Sequence, residues 1–276
     1  MLIAIEFLIV QAVVAWFVLQ IYRRAFRKYQ GTTMELKSKV AIVTGGAVRI
    51  GRAISIALAK EGCDVLVHYG RSSIPARETL ASIEAMGAKA AIYQADLSDL
   101  DEVRGIVPAA VSNFGQVDIL VNNGAIFLPG GLRETTHEMW QRQFAINLQA
   151  PFFLSKAFSE QIPENGQGAI VNISDARVFQ PAADHIAYRL TKAGLQTMTE
   201  TLALDLAPRI TVNSLALGAI LPPPGKGDDY LLELSRTRIP LGVPGNPEMV
   251  ADNLIHILRQ DFLTGVTIRI DGGEFL

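Results

Sequence analysis

Tyr188 and Lys192 stand four residues apart, a spacing that sets a phenol and an ammonium on one face of a helix. A nearby ammonium favours the phenolate and draws the tyrosine pKa toward working pH. Such a pair is suited to proton transfer, with Tyr188 as donor. A second chemical feature is the turn Thr44-Gly45-Gly46-Ala47-Val48-Arg49-Ile50-Gly51, placed between an apolar run and a helical pattern. Glycines there let backbone approach a pyrophosphate at a helix amino terminus, where free N–H groups and the helix dipole favour anions. The segment that ends the second apolar run, Val67-His68-Tyr69-Gly70-Arg71-Ser72, has no carboxylate for ribose hydroxyls. Arg71 and Ser72 instead suit an additional phosphate, so the expected cofactor is NADPH.

These residues need a scaffold, and the sequence supplies one by alternation. Buried strands are expected at Val40 to Val43, Asp64 to Tyr69, Ala90 to Tyr93, Ile119 to Asn122, Ala169 to Ile173, Ile210 to Ser214 and Val266 to Ile270. Their continuous apolar character is that of strands covered on both faces. Helical periodicity fills the gaps at Arg52 to Lys60, Ala76 to Met86 and Leu100 to Phe114, with Gly62, Gly87 and Gly115 as helix stops. The expected fold is therefore α/β, a doubly wound, seven-stranded parallel sheet of the Rossmann type. Leu221 to Gly245 breaks the rhythm with clustered Pro and Gly and is expected to form a mobile flap over a ligand cleft.

Composition restricts the alternatives. Of 276 residues, 49% are hydrophobic and 19% charged, which suits one catalytic domain with a substantial core. Net charge is −2 overall, and the first 33 residues hold four cations against one Glu, so the rest is more acidic still. That balance does not suggest a nucleic-acid surface. Cys63 is the only cysteine, and His68, His137, His185 and His256 lack the spacing of a zinc site, so no metal is expected.

Residues 2–22 are apolar apart from Glu6 and two Gln, and as a helix would run about 30 Å, the thickness of a bilayer core. Arg23, Arg24, Arg27 and Lys28 follow at once, which would hold the remainder on the cytoplasmic side. The expected organisation is a single hydrophobic helix and joint at residues 1–33, then an NADPH-binding domain at 34–276. A cleaved secretory signal fits poorly, since no positive region precedes the run. Met34 opens Met34-Glu35-Leu36-Lys37 and is a second candidate start for the same domain.

Several spaced motifs now come together: Thr44-Gly45 to Gly51, Asp96 after the third strand, Asn122-Asn123 after the fourth, Asn147, Tyr188-x-x-x-Lys192, and Asp271-Gly272-Gly273. In their order and spacing the chain resembles the classical short-chain dehydrogenase/reductase family over about Leu36 to Gly273. The resemblance implies cofactor contacts at Gly45, Arg49, Ile50, Gly51, His68, Tyr69, Arg71, Ser72, Asp96, Leu97, Asn122, Gly124, Lys192 and Gly218. Asp96 would contact the adenine and Asn122 would support the central strand and the cofactor. Asn147 would hold a water in a proton relay, and Lys192 would also bond the nicotinamide ribose. It further implies dimers or tetramers built through two long helices, here Gln149 to Phe158 and His185 to Leu206.

The chain departs from the common pattern at two telling places. Where most members carry a catalytic serine, 13 residues before the tyrosine, this chain has Asp175. Adjacent Ser174 would point to the opposite face of the strand and cannot simply substitute. The usual middle glycine of the phosphate turn is Arg49. Arg49, His68-Tyr69-x-Arg71-Ser72 and Asp175 resemble the pteridine-reductase subgroup, and Phe127 falls where that subgroup carries a ring-stacking phenylalanine. Substrate contacts are thus expected at Arg49, Phe127, Asp175 and Tyr188. The leading expectation is NADPH-dependent reduction of a pterin or dihydrofolate C=N bond. Reduction of a 3-oxoacyl thioester or lipophilic ketone is the first alternative, and a non-catalytic NADPH-binding scaffold is the second.

Overall fold

The computed structural model describes Trp16, residues 34–223 and residues 225–276. The chain divides into two units, Met1–Met34 and Glu35–Leu276. The expected hydrophobic helix over residues 2–22 lies, apart from Trp16, outside the described residues. Among the described residues no helix is long and apolar enough to cross a membrane.

Seven strands form one sheet: β1 (Val40–Val43), β2 (Asp64–Tyr69), β3 (Ala90–Gln94), β4 (Ile119–Asn122), β5 (Gly168–Asp175), β6 (Ile210–Leu217) and β7 (Thr267–Ile270), in the order β3-β2-β1-β4-β5-β6-β7. Every pairing is parallel. β1 and β4 are buried at every residue, as their unbroken apolar runs require. One face of the sheet presents Ile42, Leu66, Leu120, Ile170 and Val212 to a cluster that includes Ile106, Leu154 and Phe158. The chain reverses its winding between β1 and β4, and the crevice beyond the carboxyl ends of such strands is where this architecture binds ligands.

The helices are α1 (Arg49–Lys60), α2 (Ser73–Glu84), α3 (Leu100–Arg104), α4 (Ile106–Phe114), α5 (His137–Phe144), α6 (Ala150–Gln161), α7 (Ile186–Leu206), α8 (Asp228–Arg238) and α9 (Pro247–Leu258). The single helix expected from Leu100 to Phe114 is two, meeting at Gly105, which keeps right-handed helical dihedrals while its N–H bonds the Glu102 carbonyl at 3.1 Å. A Cβ at Gly105 would lie 2.3 Å from the Tyr93 hydroxyl, so the chain passes that ring only without a side chain. A π-turn, Ala145–Gln149, joins α5 to α6, so the long helix expected from Gln149 is part of a longer, bulged one. The flap segment is not all loop, since α8 lies within it.

β5 and β6 run two and three residues past their expected ends, and this matters for the site. β5 continues beyond Ile173 to Asp175, paired with β6 as far as Leu217. The pairing carries Asp175 rigidly to the carboxyl edge of the sheet.

Candidate active site

The glycine-rich turn is held from three sides. Gly45 N donates to His68 Nδ1 at 3.0 Å, Gly46 N to the His68 carbonyl at 2.9 Å, and Asn123 Nδ2 to the Thr44 carbonyl at 2.8 Å. Thr44 Oγ accepts from the backbone N–H groups of Asn123 and Gly124, both at 2.9 Å, which ties the β1 exit to the β4 exit. Gly45 has φ +62°, a left-handed conformation open to glycine at no steric cost. Gly51 is required by space: a Cβ there would lie 2.1 Å from the Gly45 carbonyl oxygen. Val48, the residue before α1, has no capping side chain, and no acid stands in the first turn, where Ile50 lies half-buried. A tight cradle at an unneutralised helix start fits a pyrophosphate, so the residues present fit a dinucleotide.

His68 was expected to touch the cofactor, and the structure places it otherwise. Its ring is buried, with Nδ1 accepting from Gly45 N and Nε2 3.0 Å from the Ala95 carbonyl. With both nitrogens engaged it is a prop beneath the turn. Burial pushes its pKa down to about 4, against smaller opposing effects of the Ala95 carbonyl and Asp96, so the ring is neutral. Beside it, Tyr69 is half-buried at the end of β2. Arg71 is exposed, and Ser72 precedes α2 with its hydroxyl making no capping bond. Arg71 shares a cleft of about 450 Å³ with Asp96, Ser98, Glu138, Gln141 and Arg142. Asp96 Oδ1 accepts from Ser98 N and Ser98 Oγ, and these bonds hold its carboxyl below the usual range. Leu97 presses on Gly124, where a Cβ would lie 2.6 Å from Leu97 Cδ1.

Arg49 occupies the left-handed region at φ +54°, which costs a side chain on the order of 1 kcal/mol relative to glycine. Its guanidinium donates to the Pro222 carbonyl at 2.9 Å, linking the phosphate turn to the start of the flap. Gly218 closes the opposite wall. Its N–H donates to the Ile270 carbonyl at 3.0 Å, and a Cβ would lie 2.7 Å from Asp271 Cα.

The proton-transfer group assembles around the end of β5. Tyr188 Oη donates to Asp175 Oδ2 at 2.8 Å, and both side chains are buried. Ser174 points away, its hydroxyl 3.5 Å from the Lys192 carbonyl, as strand alternation predicts. Lys192 Nζ donates to the Ile173 carbonyl at 2.7 Å and sits 5.8 Å from the Tyr188 ring centroid. The expected lowering of the tyrosine pKa is reversed here. Burial first, then the Asp175 charge, raise it well above its ordinary value, while Arg177 and Arg189 oppose. Tyr188 is therefore held as the neutral phenol, the form a proton donor needs.

The Asn147 side chain is buried with both of its amide N–H groups engaged. Its Oδ1 accepts from Ile126 N at 2.9 Å, and its Nδ2 donates to the Ile126 carbonyl at 2.9 Å and to Thr191 Oγ at 3.2 Å. The amide locks the β4 exit loop to α7. Asn122 works one layer deeper, bonding Asn172 Oδ1 at 2.8 Å, and Asn172 passes the chain to Thr199 Oγ at 2.8 Å. It supports β4 against β5 and α7 from within the protein.

Two residues that the sequence reading overlooked complete the site. Arg177 binds Asp175 twice, through its backbone N at 2.8 Å to Oδ1 and through Nη1 at 3.0 Å to Oδ2, and its Cζ lies 5.2 Å from the Phe127 ring centroid. His185, at φ +49° just before α7, stacks on Phe127 at 4.2 Å with 7° between planes. One face of Phe127 is thus covered rather than open for a ligand, and its ring meets Tyr188 edge-on at 4.7 Å. A cation two residues beyond Asp175 was a signal for the first. The second was visible only as a polar residue near Tyr188.

Comparison with known proteins now places the chain. A family model described as short chain dehydrogenase matches residues 39–227. The chain belongs to the short-chain dehydrogenase family. It is an oxidoreductase, with the seven-stranded sheet that the alternation of strands and helices predicted. The 3-oxoacyl-acyl-carrier-protein reductase FabG of Staphylococcus aureus is 34% identical over 244 residues, which cover 87% of this chain and 99% of that protein. Glucose 1-dehydrogenase 2 of Bacillus subtilis is 34% identical over 254 residues, covering 88% of this chain and 96% of that protein. Among solved structures, FolM alternative dihydrofolate reductase 1 from Brucella canis, complexed with NADP, superposes with a TM-score of 0.83 at 32% identity, covering 87% of this chain and 95% of that one.

One consequence of this site is pH dependence. Burial pushes the Lys192 ammonium down to about 8, with Asp175 pulling the other way. The folded protein therefore binds fewer protons than the unfolded chain between about 8 and 10.5, and this group's unfavourable effect on folding is relieved as pH rises through that window. If the ammonium is needed at the dinucleotide, kcat/KM for the cofactor falls above pH about 8 with the slope of one proton. A profile flat to pH about 10, near an ordinary lysine pKa, would overturn this role.

Proposed function

We propose that this short-chain dehydrogenase uses NADPH to reduce a C=N bond in a pterin or dihydrofolate-type ring. The observation that carries the reading is the 2.8 Å bond from Tyr188 Oη to Asp175 Oδ2, a carboxylate joined directly to the proton donor. When bound, the dinucleotide supplies hydride to the ring carbon. Tyr188 holds the proton for the ring nitrogen at Oη; Asp175 accepts that O–H and fixes the position of the oxygen, and the proton passes to the nitrogen when the hydroxyl turns from the carboxylate to it. Arg177 keeps Asp175 anchored, and Arg189 fixes the Arg177 backbone by donating to its carbonyl at 2.7 Å. Lys192 places its ammonium beneath the tyrosine, and Phe127 with His185 forms a flat side wall. Supporting NADPH over NADH are the missing acid at the end of β2, exposed Arg71, the free Ser72 hydroxyl and the uncapped α2 start. The substrate side is supported by the fold match to the Brucella canis dihydrofolate reductase.

A second reading, reduction of a 3-oxoacyl thioester, is favoured by the similarity to FabG. One set of assays separates them: oxidation of NADPH and of NADH with dihydrobiopterin, dihydrofolate and an acetoacetyl thioester. Turnover of the pterins with NADPH well above NADH is expected. Turnover of the thioester alone would sink the pterin reading, and none with any substrate would favour a cofactor-binding scaffold.

We also infer that residues 2–22 anchor the protein to a membrane with the catalytic unit on the cytoplasmic side, and that the protein works as a homodimer or homotetramer. The apolar run and the four cations after it support the first. An apolar groove of about 690 Å³, lined by Trp140, Phe144, Leu148, Phe152, Phe153 and Met198 along α5 to α7, supports the second. Full-length protein should sediment with membranes and, once detergent-extracted, show a multiple of the chain mass by light scattering. A wholly soluble product would end the anchor idea, and a monomer mass the assembly.

A further inference from the structure

Arg177 has five side-chain N–H donors, and the structure accounts for only one of them: Nη1 to Asp175 Oδ2 at 3.0 Å. Among the described residues, Nε and Nη2 have no hydrogen-bond acceptor. The side chain is 32% exposed, so these donors are within reach of solvent, and its guanidinium lies over the Phe127 ring. Asp175 is in the opposite position. Its Oδ1 accepts from Arg177 N, and its Oδ2 accepts from both Tyr188 Oη and Arg177 Nη1. The carboxylate beside the proton donor thus has three of its roughly four acceptor sites filled, while the cation beside it uses one of its five donors. The other charges around the guanidinium do not change this. Glu274 directs a carboxylate oxygen to Arg238 Nη2 at 3.2 Å, and Arg189 is engaged with Asp184 and with backbone carbonyls.

We propose that Arg177 determines specificity by reading an acceptor edge of the substrate, an oxo group lying next to the ring nitrogen that Tyr188 protonates. This rests on the pterin reading above. A planar guanidinium with free N–H groups rewards an oxygen acceptor with a charge-assisted bond and rejects an amino group, whose hydrogens would meet its own. The site therefore separates oxo-heterocycles from otherwise identical amino-heterocycles. Asp175 cannot favour the oxo group, because an ionised carboxylate only accepts and has no N–H or O–H to offer an oxygen. Arg49, whose guanidinium is turned to the Pro222 carbonyl, is not directed to it either.

The test uses full-length protein loaded with NADP⁺ and two non-reacting probes at a pH where both are neutral. One is pterin, with an oxo group beside the ring nitrogen, and the other is the diaminopteridine with an amino group in its place. Binding is measured by fluorescence for the natural protein, Arg177→Gln and Arg177→Lys. The natural protein is expected to favour pterin about tenfold or more, the size of one good charge-assisted bond. In Arg177→Gln that preference collapses to within about twofold, mostly through weaker pterin binding, and Arg177→Lys keeps part of it because a charge without the fork remains. An equal loss for both probes in Arg177→Gln would mean that Arg177 only braces Asp175 and would overturn the proposal. So would equal binding of the two probes by the natural protein. Failure of the natural protein to bind either probe, with thioester turnover intact, instead removes the pterin reading itself. NADP⁺ affinity, unchanged in folded variants, guards against misfolding, and Arg177→Lys answers the question if Arg177→Gln does not fold.

Discussion

Tyr188→Phe is expected to lower turnover by about a thousandfold or more while leaving cofactor affinity within about twofold, since a positioned general acid is worth roughly 100- to 10,000-fold. The substitution removes one oxygen and little else. The ring keeps its edge contact with Phe127 at 4.7 Å, and Lys192 keeps its bond to the Ile173 carbonyl. Asp175 loses the hydroxyl proton at Oδ2 but retains both bonds from Arg177, so no buried charge is left unpartnered. The fold should consequently survive with a modest loss of stability. Initial rates of NADPH oxidation, paired with a fluorescence titration of NADPH, check both halves. Retained activity would show that the proton comes from another group, and a parallel loss of cofactor binding would show that the tyrosine acts through the dinucleotide site.

The second large effect concerns the phosphate cradle. Gly51→Ala would set a Cβ 2.1 Å from the Gly45 carbonyl oxygen and 2.6 Å from Asn123 Nδ2. Neither neighbour is at liberty to retreat. Gly45 is held by its N–H bond to buried His68, and Asn123 Nδ2 by its 2.8 Å bond to the Thr44 carbonyl. The turn must open, which misplaces the backbone N–H groups at the start of α1. Overpacking of this kind typically costs about 1–3 kcal/mol in stability, and loss of the cradle should weaken dinucleotide binding by about 100-fold, or roughly 2.7 kcal/mol. Calorimetric titration with NADPH and a thermal melt of the cofactor-free protein measure the two effects separately. Binding as tight as that of the natural protein would mean that the turn does not carry the pyrophosphate.

His68 illustrates why some of the site could not be read from the chain. In sequence it is a polar residue at the end of an apolar strand, and the family resemblance implied a cofactor contact there. Only the pairing of β2 with β3 brings the Ala95 carbonyl to one ring nitrogen, while the fold of the turn brings Gly45 N to the other. Asn147 is similar. Its position in the pattern was legible, but the bonds to Ile126 and Thr191 that occupy its amide join three separate stretches of chain.

What the sequence determined by itself was local: the strand runs, the glycine turn at the start of α1, the four-residue spacing of Tyr188 and Lys192, and the replacement of the usual serine by Asp175. Backbone sterics, side-chain periodicity and helix geometry govern all of these within a few residues. Tertiary structure alone decided how those parts act on one another. It buried Tyr188 against Asp175 and so reversed the expected direction of its pKa. It laid His185 and the Arg177 guanidinium against Phe127, covering an aromatic ring that was expected to be open. Burial, dielectric and hydrogen-bond saturation depend on what the remote chain brings alongside, and no window of sequence contains them.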